Sequence, residues 1–389
     1  MSNFTPDAVS CLAGPDWLST RRQAAFHRYA GAQPPSEGDE IWRYTRISEL
    51  DLSRYLPASP APTITGAADL VSTDEFPIVA STDPYFDELN QAFAAPLVLR
   101  VPAGRVIDAP VVIEHSAEAG QASFLHLVVD AGADSECTII ERFRSGDDIA
   151  AAVFPVVDIH AGPAARVRYL AINELGRSTT LIAHQRTVGE RDSTTALGTV
   201  SLGGSYARFR TDVRAVGVGA ATEQITLYFA DGDQMHDFRT IQEHVAPKTT
   251  SDLLFKGAVN DTAHSVYTGL IRIGPEAKGS VAFQTNRNLT LSHGAWAESV
   301  PNLEIETNDV KCSHASTVGP IDADQLFYLE SRGVPPLAAH RLILAGYFGE
   351  VFGRLRAPVD VVAQLVDRIA AKLERVNVAD QPVASGARR

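Results

Sequence analysis

Val101-Pro102-Ala103-Gly104, Asp130-Ala131-Gly132-Ala133, His160-Ala161-Gly162-Pro163, Thr187-Val188-Gly189-Glu190, Gly217-Val218-Gly219-Ala220, Val245-Ala246-Pro247-Lys248 and Ile273-Gly274-Pro275-Glu276 recur through the middle of the chain. Each follows the last by about 27 to 30 residues, and most are small-residue turns between two apolar runs rich in Val, Ile, Leu, Phe and Thr. Short β-branched runs bounded by Gly, Pro and Asp read as strands. A constant period in this range is the mark of a stacked array. With two to four strands per repeat and little helical pattern, a β-helix is the best physical solution, because each coil buries its inner residues against its neighbours. A β-sandwich is the competing solution, but its turns recur about every 8–12 residues. The expected fold is therefore mainly β, with the β-helix over residues 96–320.

Outward from this core the pattern becomes helical. Within residues 1–95, Trp17, Leu18, Ala25, Phe26 and Tyr29 recur at helical intervals, and Pro34 and Pro35 end that segment. Residues 57–68, rich in Pro, Ala and Thr, read as a linker, and residues 84–95 as one more short helix. In residues 321–389, Asp322 is placed to cap a helix with Gln325 three residues on. Gly333 fits its C-terminal stop, and Pro335-Pro336 opens a second helix. Val362, Leu365, Val366, Ile369 and Leu373 form the apolar stripe of a third. The tail after Val376 reads as disordered. Helices flanking a β-helix are expected, at least in part, to cover its open ends, where bare strand edges invite aggregation.

Composition narrows the function. The 389 residues carry a net charge of −13, the wrong sign for coating nucleic acid or an anionic membrane. Cys11, Cys137 and Cys312 are odd in number and far apart, so no disulfide framework is readable and a reducing cytoplasmic setting is expected. The N-terminus lacks a basic and an apolar region of signal-peptide type, and no run of about 18 apolar residues exists to span a bilayer. No G-x-x-x-x-G-K-[ST], G-x-S-x-G, H-E-x-x-H or C-x-x-C is present, which argues against an ordinary hydrolase or zinc enzyme.

Three groups of residues invite a chemical reading. In an extended Lys311-Cys312-Ser313-His314, Cys312 and His314 share a face, about 7 Å apart, and a thiolate with an imidazole suits a soft metal such as iron. The ordinary alternative is a small buried Cys and a satisfied His. His236 and His264 hold the same place before Pro247 and Pro275, so on adjacent coils they are candidates to stack, as a metal or proton site or as a plain polar column. His293 follows one period on, slightly out of register. Asp231, Asp233 and Asp237 gather as the carboxylates of a β-helix carbohydrate-active enzyme do, or as an ordinary charged loop. Such an enzyme is usually exported and rich in aromatic sugar platforms, whereas aromatics are 7% here.

Residues 308–333, NDVKCSHASTVGPIDADQLFYLESRG, resemble the signature of the SufB/SufD family of iron–sulfur cluster assembly scaffolds. Phe255-Lys256-Gly257-Ala258 and Arg43-Tyr44-Thr45 after Trp42 add support, and the resemblance spans roughly residues 37–375. Of the two branches, the Lys-Cys-Ser-His form resembles SufD; Ala315 stands where that branch usually has Gly. The resemblance implies a right-handed parallel β-helix, and a non-catalytic subunit that pairs with a SufB-like paralogue. It also implies docking of a SufC-like ATPase through residues 321–375. Deleting 321–389 is expected to abolish that docking and spare the strands. His314, with Cys312 as the weaker candidate, would lie at the paralogue interface. The implied cofactor inventory is none tightly bound, with a transient iron–sulfur cluster at that seam. A SufB-like homodimer is the neighbouring alternative.

Overall fold

The computed structural model describes residues 3–77 and 82–376. Two parallel sheets form a β-solenoid of about eight turns, the chain passing from one sheet to the other and back in each coil. Sheet A runs from Ala95–Val101 to Trp296–Ile305, and sheet B from Val111–Ser116 to Val310–Gly319. All seven recurrent turns lie at one corner, where sheet A gives way to sheet B. Gly104, Asp134, Ala164, Asp192, Gly219, Lys248 and Gly279 stack there with φ between 55° and 77°. The N–H of each donates to a carbonyl of the next coil at 2.7–3.2 Å, from Gly104 to Ala133 up to Gly279 to Asp309. Four of the seven are not glycine, so the coil-to-coil bonds hold ordinary residues in a region that costs L-residues energy.

Side chains alternate between lumen and surface. Leu99, Ile113, Leu127, Ile139, Val157 and Phe209 fill the lumen of the early and middle coils. Each such burial contributes about 1.5–3 kcal/mol. Toward the last coils the lumen turns polar, with Gln242, Gln284, Asn286 and Asn288 all buried. The first coil is closed by three short strands in and beside the 57–68 segment that reads as a linker. Thr63–Thr65 pairs antiparallel with Val111–Ser116, Val71–Ser72 with Ala95–Val101, and Leu56–Ala58 lies parallel on Gln121–Ala131. These strands are two or three residues long and carry Pro57, so only the neighbouring ladder defines them.

The helices lie on the flanks of the solenoid rather than over its ends, contrary to the capping expectation. α1 (Pro6–Ser10), α2 (Asp16–Gly31) and α3 (Phe86–Phe93) cover the outer face of sheet A, where Phe26, Phe86 and Phe93 pack on Phe124, Phe154 and Ile182. α4 (Ala323–Ser331), α5 (Pro336–Arg354) and α6 (Val359–Leu373) follow the solenoid. Asp322 accepts from the N–H groups of Asp324 and Gln325, and Gly333 takes φ 86° as the stop. α5 and α6 cover the outer face of sheet B through Leu344, Phe348, Val351, Leu365 and Ile369. The buried stripe of α6 is Val361, Leu365, Ile369 and Leu373, while Val366 is exposed. The tail after residue 376 lies outside the described residues.

α3 is fastened to sheet A by a buried ionic chain. His184 donates from Nδ1 to Asp87 of α3 at 2.7 Å and from Nε2 to Asp212 at 3.1 Å, and Arg186 pairs with Asp87 and Asp158. Burial alone would lower the His184 pKa, but Asp87 and Asp212 override it and hold it at about 9. The folded value exceeds the unfolded one, so the stabilisation is full below pH 6.5 and is lost as pH rises through about 9. The gap corresponds to on the order of 3 kcal/mol. The urea-unfolding difference between wild type and His184→Gln is expected to shrink between pH 6.5 and 9.5; a difference constant with pH would show that His184 is not protonated in the fold.

Candidate functional site at the open end of the solenoid

Among the described residues, Val310–Gly319 is the last strand of sheet B and pairs only with Ser280–Thr290. Ala282 lies beside Cys312, Gln284 beside His314 and Asn286 beside Ser316. Ala282, Gln284 and Asn286 are buried, so Cys312, His314 and Ser316 continue their lumen-facing columns onto a coil that no further strand among the described residues covers. The sequence reading that Cys312 and His314 share a face therefore agrees with the register. Cys312 is half-buried against Ile271, Ile273, Ala277 and Ala282, and burial raises its thiol pKa, which disfavours the thiolate. His314 is exposed. Behind it, both amide atoms of buried Gln284 and the Oδ1 of Asn286 have no hydrogen-bond partner among the described residues, while Asn286 Nδ2 donates to Ser299 Oγ at 2.7 Å. Ser299 and Ser316 hydroxyls meet at 2.6 Å across the lumen. Two soft or borderline donors thus lie at an open rim with unsatisfied amides behind them. No cluster of three or more potential metal ligands occurs among the described residues.

The other two groups do not assemble. His236 lies beside Ser265, and His264 beside Met235 and Trp296. One residue of slip puts the two imidazoles on opposite faces. His236 is wholly buried in the lumen, donating from Nε2 to the Gly203 carbonyl, with its pKa pressed down to about 3 by desolvation and then by Lys372. His264 faces outward against the Trp296 ring, and His293 is exposed in a turn. Asp231 is tied to Lys372 at 2.5 Å and Arg177 at 2.8 Å, whereas Asp237 pairs with Arg208 and Arg239 on the outer face of sheet A. Asp233 is exposed. No pair of free carboxylates results, and the carbohydrate-enzyme reading loses the residues it rested on.

Two short motifs acquire physical reasons. In Phe255-Lys256-Gly257-Ala258, Phe255 fills the lumen and Lys256 reaches out to α5, to the Tyr347 carbonyl at 2.9 Å and Glu350 at 2.5 Å. Gly257 makes room for the ring of Tyr228, and Ala258 lies under the α5–α6 cover. Near the N-terminus, the Trp42 ring lies 3.8 Å from the Arg208 guanidinium, the Arg43 carbonyl accepts from Arg239, and the Thr45 hydroxyl donates to the Trp42 carbonyl. Tyr44, with φ 65°, sets its ring 6.0 Å from Trp296 on the last strand of sheet A. A feature not singled out from sequence is the outer face of α4, where Phe327 is 72% and Tyr328 58% exposed.

Residues 112–347 match the family model described as SUF system FeS cluster assembly, SufBD core domain. The chain belongs to the SufBD family of iron–sulfur cluster assembly proteins. It is 34% identical over 365 residues to a SufBD family protein of Mycobacterium tuberculosis, covering 87% of this chain and 88% of that one. It is 31% identical over 282 residues to the iron–sulfur cluster assembly protein SufD of Bacillus subtilis, covering 71% and 64% of the two chains. SufD of Escherichia coli is 29% identical over 245 residues, 63% of this chain and 58% of the other. The matched span runs from the first coils through most of α5, and so includes the Cys312–His314 strand. No helix among the described residues is long and apolar enough to cross a membrane.

Proposed function

We propose that this SufBD family member is a non-catalytic, SufD-type scaffold working in the cytoplasm. It pairs through the open end of its solenoid with a SufB-like paralogue, and the nascent iron–sulfur cluster is its cargo at that seam. The observation that carries the reading is the uncovered last coil, with His314 exposed on its lumen side next to the unpaired amide of Gln284. A bare edge of two sheets is a ready template for another chain's strands. Two donors from this chain suit a shared site that a partner completes. Cys312 is the weaker ligand, since half-burial raises its pKa. The test is co-purification of the tagged chain with its SufB-like and SufC-like companions, with and without His314→Ala. The variant is expected to assemble normally and to lose at least about tenfold in cluster production, as removal of a ligand or its support does. Unchanged production would sink the role of His314, and no complex at all would sink the scaffold reading.

The SufC-like ATPase would dock on the C-terminal helices, where Phe327, Tyr328 and Leu342 are exposed. Deleting 321–389 is a poor test of this, contrary to the sequence expectation. Leu344, Phe348, Leu365 and Ile369 cover sheet B, and their loss would bare its apolar outer face. Phe327→Asp with Tyr328→Asp is the cleaner experiment, since both rings are solvent-exposed. The pair is expected to weaken ATPase capture at least about tenfold, as loss of aromatic anchors does, with unchanged circular dichroism. Capture at wild-type strength would place the dock elsewhere.

A further inference from the structure

We propose that the open edge of sheet A selects its partner by charge: it disfavours a second copy of this chain and accepts an edge strand that carries Lys or Arg. The inference rests on the pairing reading above and names the chemistry of the partner's edge.

The outer face of sheet A carries a column with one residue per coil. Arg214 lies beside Glu243, Glu243 beside Arg272, and Arg272 beside Glu304 on the last strand. The signs alternate, with ion pairs of 2.6 Å for Arg214–Glu243 and 2.7 Å for Arg272–Glu304. The next rung belongs to whatever strand adds to the edge, and the alternation calls for a cation there. Glu298 shares the outer face with Glu304, and Glu306 follows directly after the strand. Across residues 296–311 the acids are Glu298, Glu304, Glu306 and Asp309, against Lys311 alone as a base.

The backbone adds a second restriction. Trp296 and Glu306 donate their N–H groups inward, to Ala263 and Ile273. In a parallel ladder successive residues bond to opposite sides. Odd-numbered residues therefore face the open edge, and Pro301, central in the strand, presents no N–H there. A proline at an edge position limits unselective pairing. In a two-fold antiparallel pairing of two copies centred on Pro301, Glu298 of each would oppose Glu304 of the other, so the repulsion enters twice. A partner with Lys or Arg at those positions turns the same geometry into attraction.

The test uses full-length chains only, with sedimentation velocity at 50 mM and 0.5 M salt. The probe is a copy carrying Glu298→Lys, Glu304→Gln and Glu306→Lys. Wild type with probe is expected to associate at least about tenfold more tightly than wild type with itself at 50 mM salt. Screening should cut that advantage to under about threefold at 0.5 M. Equal self- and cross-association at low salt, no cross-association, or a preference indifferent to salt would each overturn the proposal. Leu303→Pro removes another edge-facing N–H and is expected to abolish the cross-complex while retaining the β circular dichroism; a complex that survives it forms elsewhere, which also overturns the proposal. Co-purification with the SufB-like companion separates the two readings. If Leu303→Pro abolishes it but the three charge changes do not, pairing stands and charge selection falls. If Leu303→Pro leaves it intact, the open-end pairing itself falls.

Discussion

Arg208→Met is expected to lower the unfolding free energy by about 3 kcal/mol, the lower end of the range for breaking a buried ion pair by removing one partner. Arg208 is among the largest fully buried side chains and pairs with the fully buried Asp237. Methionine fills much of the volume, so the loss is electrostatic rather than a cavity. Asp237 would keep Arg239 at 2.8 Å and the Tyr206 hydroxyl at 3.1 Å, which is why the upper end is not expected. Two further contacts disappear with the guanidinium: its stacking on Trp42 and its hydrogen bond to the Ile41 carbonyl at 2.8 Å. Those contacts hold residues 40–45 to the outer face of sheet A, so Trp42, 2% exposed, should become accessible to a fluorescence quencher before global unfolding. Arg208→Met with Asp237→Asn removes the stranded charge and should recover part of the loss. A single-mutant loss under about 1 kcal/mol in urea unfolding would show that the pair is merely tolerated.

The solenoid was legible in the sequence because its corner imposes a local demand once per coil. Seven turns need a residue at positive φ, and small or Asp residues cluster around them whatever the strands contain. Strand register was less legible. The turns at Pro247 and Pro275 are 28 residues apart, but Met235 and His264, which lie side by side, are 29 apart. Pro275 stands two residues after Ile273, whereas Pro247 stands three after its ladder partner His244, and the turn after Ile273 is itself two residues longer, so that Gly279 rather than Glu276 holds the left-handed position. One residue is enough to exchange lumen for surface, and it separated His236 from His264. The short strands between residues 56 and 72 were unreadable for another reason: their pairing is supplied by distant ladders, and local propensity over 57–68 says linker.

The last coil shows which part of a site a sequence can carry. Alternation put Cys312 and His314 on one face, and that needs only a strand. What makes the place unusual is that no further coil follows among the described residues, together with the buried amides of Gln284 and Asn286 one coil earlier. Those residues lie 30 positions upstream in register and carry no motif. The helices were legible as helices, down to the Asp322 cap, but their docking on flanks rather than ends depends on which sheet faces are apolar outside as well as inside. Ile140, Leu170, Ile172 and Val200 face outward beneath α5 and α6, in strands whose lumen-facing neighbours include the polar Glu141, Asn173, Thr199 and Ser201, so polarity alternation does not tell the inner face from the outer.

Gly257→Val is expected to be the most damaging single change in the solenoid, destabilising it by about 3 kcal/mol or more. A Cβ on residue 257 would fall 1.9 Å from the Cζ of Tyr228 and 2.4 Å from its hydroxyl oxygen. The ring has no room to retreat. It packs on Phe238 with centroids 4.9 Å apart, and its hydroxyl lies 2.5 Å from Asn288 Oδ1 and 2.9 Å from Ser265 Oγ. Moving the ring would therefore strand buried polar atoms as well as overpack the lumen, and each stranded atom costs a further ~1–3 kcal/mol. The strand cannot shift either, because Lys256 on its other side is held by α5. Shortening Tyr228 should relieve the clash: Gly257→Ala with Tyr228→Ser is expected to fold, and to be more stable than Gly257→Ala alone. That ordering is the informative comparison, because Tyr228→Ser by itself should be destabilising. If the double variant were less stable than both singles, the ring of Tyr228 would not be what residue 257 must avoid, and this glycine would need a different physical reason.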